Sequence, residues 1–213
     1  MRLQITDMTV IKWWVDASFT VHPNMRGHTG GVMMMGRGAI IATSTKQKLN
    51  TRSSTEAELV GADDVMPIAM WTKYFIEAQG YKVKKSVLYQ DNKSTILLEK
   101  NGRASSSKRT KHINVRYYLI TDRIAKGDIT VEHCPTDKMI ADFFTKPLQG
   151  KTFKKFLCHI MNIEEDDPAL IPARDHRSVL EPKSKPHRDS NPDKSKPHRE
   201  SNRDKGQTRV PRV

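Results

Sequence analysis

The segment Lys12-Trp13-Trp14-Val15-Asp16-Ala17-Ser18-Phe19 sets one carboxylate in the middle of a run of bulky β-formers. Burying a lone carboxylate is costly, so Asp16 must cap a turn, pair with a cation, or belong to a cluster of acids around a metal. Later acids favour the cluster. Asp91 ends the short apolar run at 86–91, and Asp142 lies in the late segment Ala141-Asp142-Phe143-Phe144. If the runs carrying Asp16 and Asp91 are neighbouring strands, the two acids converge. Glu56 and Glu58 open a helical stretch, and two residues are roughly 200° around a helix, so only one can face the sheet. Ser53 with Glu56 three residues on has the spacing of a capping box, which gives Glu56 the cap and leaves Glu58 for the site. Gathered carboxylates repel unless divalent cations lie between them. Two such ions about 3.5–4 Å apart clamp an in-line displacement at a phosphodiester, and hard oxygen ligands suit Mg²⁺ or Mn²⁺.

The elements that must position these acids follow from the apolar pattern. After the first strand, Val21-His22-Pro23-Asn24 signals a turn, and residues 29–35 make a second strand whose Gly30 and Gly31 allow close approach of another segment. Its methionines, Met33 to Met35, fit a strand core. Gly36-Arg37-Gly38 is hairpin punctuation before a third strand at 39–44, so the first three strands form an antiparallel meander. A helix then runs from Ser53 to Gly80, where Pro67 predicts a kink or two abutting helices. The strand at 86–91 follows, parallel to the first by a right-handed crossover, then a helix over 92–100. A Ser-rich basic loop, 103–111, leads to a helix over 112–126, a fifth strand at 128–133, a helix capped at Pro135-Thr136 that carries Asp142, and a last amphipathic stretch over 153–160.

Charge and composition bound the partners. The chain has 213 residues and a net charge of +13. Residues 164–213 hold 12 basic and 10 acidic groups, which leaves 25 and 14 on residues 1–163, so the excess sits on the part that folds. A domain with a net charge of +11 suits a polyanion held by phosphate contacts. Cys134 and Cys158 make neither a metal spacing nor a disulfide framework, which points to a reducing, intracellular setting, cytoplasmic or nuclear. No apolar run is long enough for a membrane span. From 164 on, Pro, Lys, Arg, His, Asp and Ser dominate, a disordered composition that contains two near-copies of eleven residues, KSKPHRDSNPD at 183–193 and KSKPHRESNRD at 194–204.

Several strings, in order, carry a family resemblance: VDASF, HTGG, TRSSTEAEL, YQDN, SKRTKHINVRYYLI and ADFFTKPLQG. Together they resemble the ribonuclease H region of copia-type retrotransposon polyproteins, from residue 13 to about residue 160. The resemblance implies that Asp16, Glu58, Asp91 and Asp142 are the four metal-binding acids of a catalytic site taking two Mg²⁺ or Mn²⁺ ions. By the same resemblance His133 matches a mobile histidine that helps proton transfer or product release. Ser54 and Thr55 take positions where related enzymes touch the minor groove of a hybrid, with helix capping as the alternative, and Lys108, Arg109, Lys111 and His112 would track a phosphate backbone, or else belong to a solvated loop. The implied partners are an RNA/DNA hybrid and a reverse transcriptase segment outside this chain, which looks like a detached piece of a polyprotein.

The expected architecture is an α/β, ribonuclease H-like domain over 9–163, with a five-stranded mixed sheet, helices on both faces, and a disordered tail over 164–213. The expected activity is metal-dependent cleavage of RNA in RNA/DNA hybrids. A non-catalytic nucleic-acid-binding remnant of a decayed element is the alternative. An integrase of the same superfamily fits less well, because its catalytic acids number three and the ribonuclease-like strings follow the meander.

Overall fold

The computed structural model describes residues 1–102 and 114–164. Lys108, Arg109, Lys111 and His112, and the tail with its two repeats, lie outside those residues. The elements in chain order are β1 (Gln4–Ile5), β2 (Val10–Ser18), β3 (His28–Met34), β4 (Gly36–Arg37), β5 (Ile41–Lys46), α1 (Ser54–Ala78), β6 (Lys85–Gln90), α2 (Lys93–Asn101), α3 (Asn114–Ala125), β7 (Thr130–His133), two 3₁₀ turns (Thr136–Lys138 and Ile140–Phe144) and α4 (Gly150–Met161).

The main sheet has five strands in the order β5-β3-β2-β6-β7. The pairs β2–β3 and β3–β5 are antiparallel, whereas β2–β6 and β6–β7 are parallel. This is the five-stranded mixed sheet that the sequence implies, with the Asp16 strand at its centre and the Asp91 strand beside it. Both faces are covered, as alternation along the strands requires. Ile11, Trp13, Val15, Met33 and Met35 pack under α1, α2 and α3 with Leu59, Val65, Ile96 and Ile120. Trp14, Val32 and Met34 turn the other way, toward Ile140, Phe156 and Ile160. The methionine run is therefore core on both faces.

Three local expectations are narrowed or revised. Of the two outcomes expected at Pro67, a kink or two abutting helices, the second does not occur: the stretch is one helix of 25 residues. Proline in a helix interior costs about 3 kcal/mol, but Pro67 is exposed, and the buried Val65, Met66, Ala69 and Met70 on either side hold both halves of α1 against the sheet. Asp142 sits on a 3₁₀ turn and not on an α-helix. Four consecutive buried residues, Met139 to Asp142, leave no solvent face for a surface α-helix at that point, and the backbone breaks at Met139. Gly36-Arg37 does more than punctuate a hairpin: it pairs with Gln4–Ile5 as a small second sheet. Arg2 N–H also donates to the Met161 carbonyl at 2.9 Å, so residues before the expected start at 9 are tied to the domain.

Candidate metal centre

Asp16 is 1% exposed and stands opposite Gly30 in the β2–β3 register. A Cβ on Gly30 would lie 2.7 Å from Thr145 Cγ2 and 2.9 Å from the Ala141 carbonyl, so only glycine lets the 140–146 segment lie on the sheet beside Asp16. Gly61 acts similarly for α1. A Cβ there would come within 3.2 Å of Ala17 Cβ, and this close contact one turn after Glu58 sets that side chain at the end of β2. The cap assigned from spacing forms: Ser53 Oγ accepts from Glu56 N–H at 3.2 Å, while the Glu56 carboxylate accepts from Arg52 N–H at 2.7 Å. Glu58 is left to turn inward.

Asp91 follows the last residue of β6, and Asn92 caps α2 through bonds from Ser94 and Thr95 N–H, so the strand ends where the acid is needed. One carboxylate oxygen each from Asp16, Glu58 and Asp91 lies within 4.8 Å of the other two. They face an open cleft of about 560 Å³ that Ser18, Phe19, Val21 and Asn92 also line.

Asp142 is 5% exposed and joins this group through a cation. Lys146 Nζ donates to Asp142 Oδ1 at 2.8 Å and to Asp16 Oδ1 at 3.3 Å. Thr145 Oγ1 also donates to Asp16 Oδ2, and Ser18 Oγ donates to the Thr145 carbonyl at 2.9 Å. Lys146 and Thr145 escaped the sequence reading. A usable signal existed, because a lysine four residues after an acid in a turn is placed to bridge it.

The electrostatics show how crowded the acids are. Burial, then the neighbouring Asp16 and Asp91, push Glu58 up to about 9 despite a bond from the Ala17 backbone. Burial raises Asp142 to about 6, with the Lys146 bond opposing it. For Lys146, burial works against the charged form, but the carboxylates of Asp142 and Asp16 outweigh it and its pKa is raised. Glu58 Oε2 is buried with no hydrogen-bond partner among the described residues. An orphaned carboxylate oxygen within a cluster of hard oxygen donors fits a divalent cation, which would allow Glu58 to ionise in place.

The other predicted residues fall as follows. Ser54 is exposed at the start of α1 and Thr55 is half-buried, its carbonyl accepting from Thr95 Oγ1 at 3.3 Å. Capping falls to Ser53, so the capping alternative for Ser54 and Thr55 is not taken up. His133 is exposed, pairs with Gln90 in the β6–β7 register, and lines a separate cavity of about 460 Å³ with Trp14, Tyr89 and Phe156. It is not among the residues lining the acid cleft.

No family model matches the chain. It is 32% identical over 146 residues to the Retrovirus-related Pol polyprotein from transposon TNT 1-94 of Nicotiana tabacum, a match covering 68% of this chain and 11% of that polyprotein. It is 30% identical over 139 residues to the Transposon Ty1-JR1 Gag-Pol polyprotein of Saccharomyces cerevisiae, covering 65% and 8%. The chain is homologous to a segment of Ty1/copia-type retrotransposon Pol polyproteins. The chain spans about a tenth of the length of the relatives it matches. Similar solved structures include LC11-RNase H1 isolated from compost, 12% identical, covering 70% of this chain and 99% of that one at a TM-score of 0.48. A foamy viral protease-reverse transcriptase in complex with dsDNA is 18% identical, covering 68% and 96% at a TM-score of 0.40. No helix of the described residues is long and apolar enough to cross a membrane.

Proposed function

We propose that this chain is a ribonuclease H-type nuclease that cleaves the RNA strand of RNA/DNA hybrids with Mg²⁺ or Mn²⁺, two ions, held by Asp16, Glu58, Asp91 and Asp142. The observation that carries the reading is the convergence of three carboxylates on one point with Glu58 Oε2 buried and unpartnered among them. Divalent cations bound there supply Lewis acidity for an in-line displacement at phosphorus. The protein's own groups do the rest. Asp16 is fixed by Thr145 and Lys146, so its carboxylate is oriented before any ligand arrives. Lys146 holds Asp142 against the sheet and brings a positive charge to the wall of a cleft that must accept a phosphate. Thr136 Oγ1 donates to Asp91 Oδ2 at 3.3 Å and steadies the most accessible of the three clustered acids.

The remaining assignments extend the same reading. Ser54 and Thr55, at the mouth of α1, would contact the minor groove and its 2′-hydroxyls, and Lys108, Arg109, Lys111 and His112 would follow the phosphates. His133, exposed beside the strand end that carries Asp91, would serve proton transfer or product release. In a polyprotein the domain would act beside a reverse transcriptase segment.

The test is incubation of the purified chain with labelled hybrid, RNA duplex and DNA duplex, with and without Mg²⁺ or Mn²⁺. Cutting is expected only of the hybrid's RNA strand and only with metal. Asp91→Asn keeps the side chain's size and removes a formal charge, so cleavage should fall at least about a hundredfold, the scale of a lost preorganised electrostatic group. Salt-sensitive binding should persist, because basic residues supply the phosphate contacts. An unmodified chain that binds hybrid and never cuts it with either metal would instead be a nucleic-acid-binding remnant.

A further inference from the structure

Two segments that border the acid cleft are linked, behind it, through one histidine. One is the loop after β2, whose Phe19 and Val21 line the cleft. The other is the 140–146 segment, which carries Asp142 and whose Lys146 lines the cleft. His28, the first residue of β3, has His22 of that loop 3.1 Å from its Nδ1 and Ser44 Oγ of β5 2.8 Å from its Nε2. Ser44 Oγ in turn lies 2.9 Å from the Phe144 carbonyl.

Donor bookkeeping gives this chain a direction. A carbonyl only accepts, so the single hydroxyl proton of Ser44 is committed to Phe144. Ser44 can then only accept from His28, which requires the proton on His28 Nε2. With Nε2 protonated in a neutral ring, Nδ1 is an acceptor, and His22 Nε2–H must donate to it. Burial and the neighbouring His22 both lower the His28 pKa, in keeping with a neutral ring. The relay therefore runs one way, from His22 through His28 and Ser44 to the backbone between Asp142 and Lys146.

We propose that His28 is a positioning residue for the metal centre: through Ser44 it fixes the turn that carries Asp142, Thr145 and Lys146, and through His22 it fastens the opposite wall. Ser18 Oγ holds the next carbonyl, Thr145, at 2.9 Å, but no second hydrogen bond among the described residues orients that hydroxyl. Ser44 has one. The geometry of Asp142 and Lys146 relative to Asp16 thus depends on a histidine that touches neither metal ligands nor the cleft. The inference rests on the metal-dependent nuclease reading, since it assigns a role toward that site.

Three measurements test it on the full chain. Imidazole ¹⁵N NMR of the unmodified protein should show His28 as the Nε2–H tautomer, and an Nδ1–H tautomer would overturn the relay whatever any variant does. Mn²⁺ affinity by calorimetry should fall about tenfold or more in His28→Phe and in Ser44→Ala, the scale of a lost supporting hydrogen bond behind a metal ligand. The double variant should be no worse than the weaker single one to within about twofold, as expected for groups in one chain. His28→Gln, whose amide N–H can donate to Ser44, should restore the affinity. On hybrid, the His28→Phe loss should appear in kcat with KM unchanged. A Phe variant that binds Mn²⁺ as the unmodified chain does would overturn this role and leave the nuclease reading standing. An unmodified chain that binds no Mn²⁺ would overturn both.

Discussion

Glu58 and Glu99 are both buried carboxyl groups with oxygens that lack a hydrogen-bond partner among the described residues, yet they sit in opposite settings. Glu58 borders the cleft with Asp16 and Asp91 within reach, and burial with those two charges pushes it up to about 9. Glu99 is 0% exposed on the face of α2 that also carries Thr95 and Ile96, and burial alone takes it to about 8, with Lys100 opposing. A strongly shifted acid is thus not by itself a site. What separates the two is company: three acids converging on a cleft can share a cation, whereas a single acid among packed helices can only keep its proton.

The sharpest way to break this contrast is to neutralise each acid in turn. Glu58→Gln should abolish Mn²⁺ binding at the cluster and reduce hybrid cleavage by at least about a hundredfold. Glu99→Gln should leave both within about twofold, as expected of a distant, independent position. Equal losses would mean that Glu99 supports the site through α2, and the distinction drawn from company would fail.

A second contrast is in pH. The folded-state pKa of Glu99 lies above its ordinary value of 4.5, so the folded protein binds its proton more tightly than the unfolded chain does. The contribution to stability is fully present below pH 4.5 and is lost as the pH rises toward about 8, a change on the order of a few kcal/mol. In the presence of a chelator, denaturant melts of the unmodified chain should weaken across that window. Glu99→Gln should weaken less and be the more stable protein at pH 8. Glu58 acts in the same direction, so the difference between the two proteins, and not the absolute slope, isolates Glu99.

The contrast also marks how far the sequence was legible. Asp16 stood out because an acid inside an apolar strand has few explanations, and Asp91 because it ended the strand that had to lie beside it. Glu58 followed from helix phase and the capping spacing at Ser53, and Gly30 from the close approach it permits. Glu99 gave no sign, because a glutamate in a short helix ordinarily faces water and only the packing of α2 turns it inward. Lys146 gave little sign, because a lysine in so basic a chain ordinarily faces water, although its spacing from Asp142 was readable. The relay of His22, His28 and Ser44 to Phe144 joins residues up to a hundred apart in sequence through single polar contacts that carry no periodic pattern. Pro67 left a kink or two helices open, and only the buried residues on both sides of it decide for a single helix.

The smallest expected effect concerns the partner of Glu58 in the same turn. Glu56 accepts from Arg52 N–H, and its own N–H is held by Ser53 Oγ, so both of these bonds belong to the start of α1 and not to the cleft. Glu56→Ala should cost about 1 kcal/mol of stability, the usual worth of an N-terminal cap. The helix start would fray, but Gly61 against Ala17 and the bond from Gln90 Nε2 to the Glu58 carbonyl, at 3.4 Å, still hold the next turn in place. Mn²⁺ affinity should therefore change by no more than about twofold. Calorimetry and a thermal melt on the same preparation would check both halves. A loss of metal binding as large as that of Glu58→Gln would show that the phase argument, which assigns one glutamate to the cap and the other to the metal, had divided two residues that act as one.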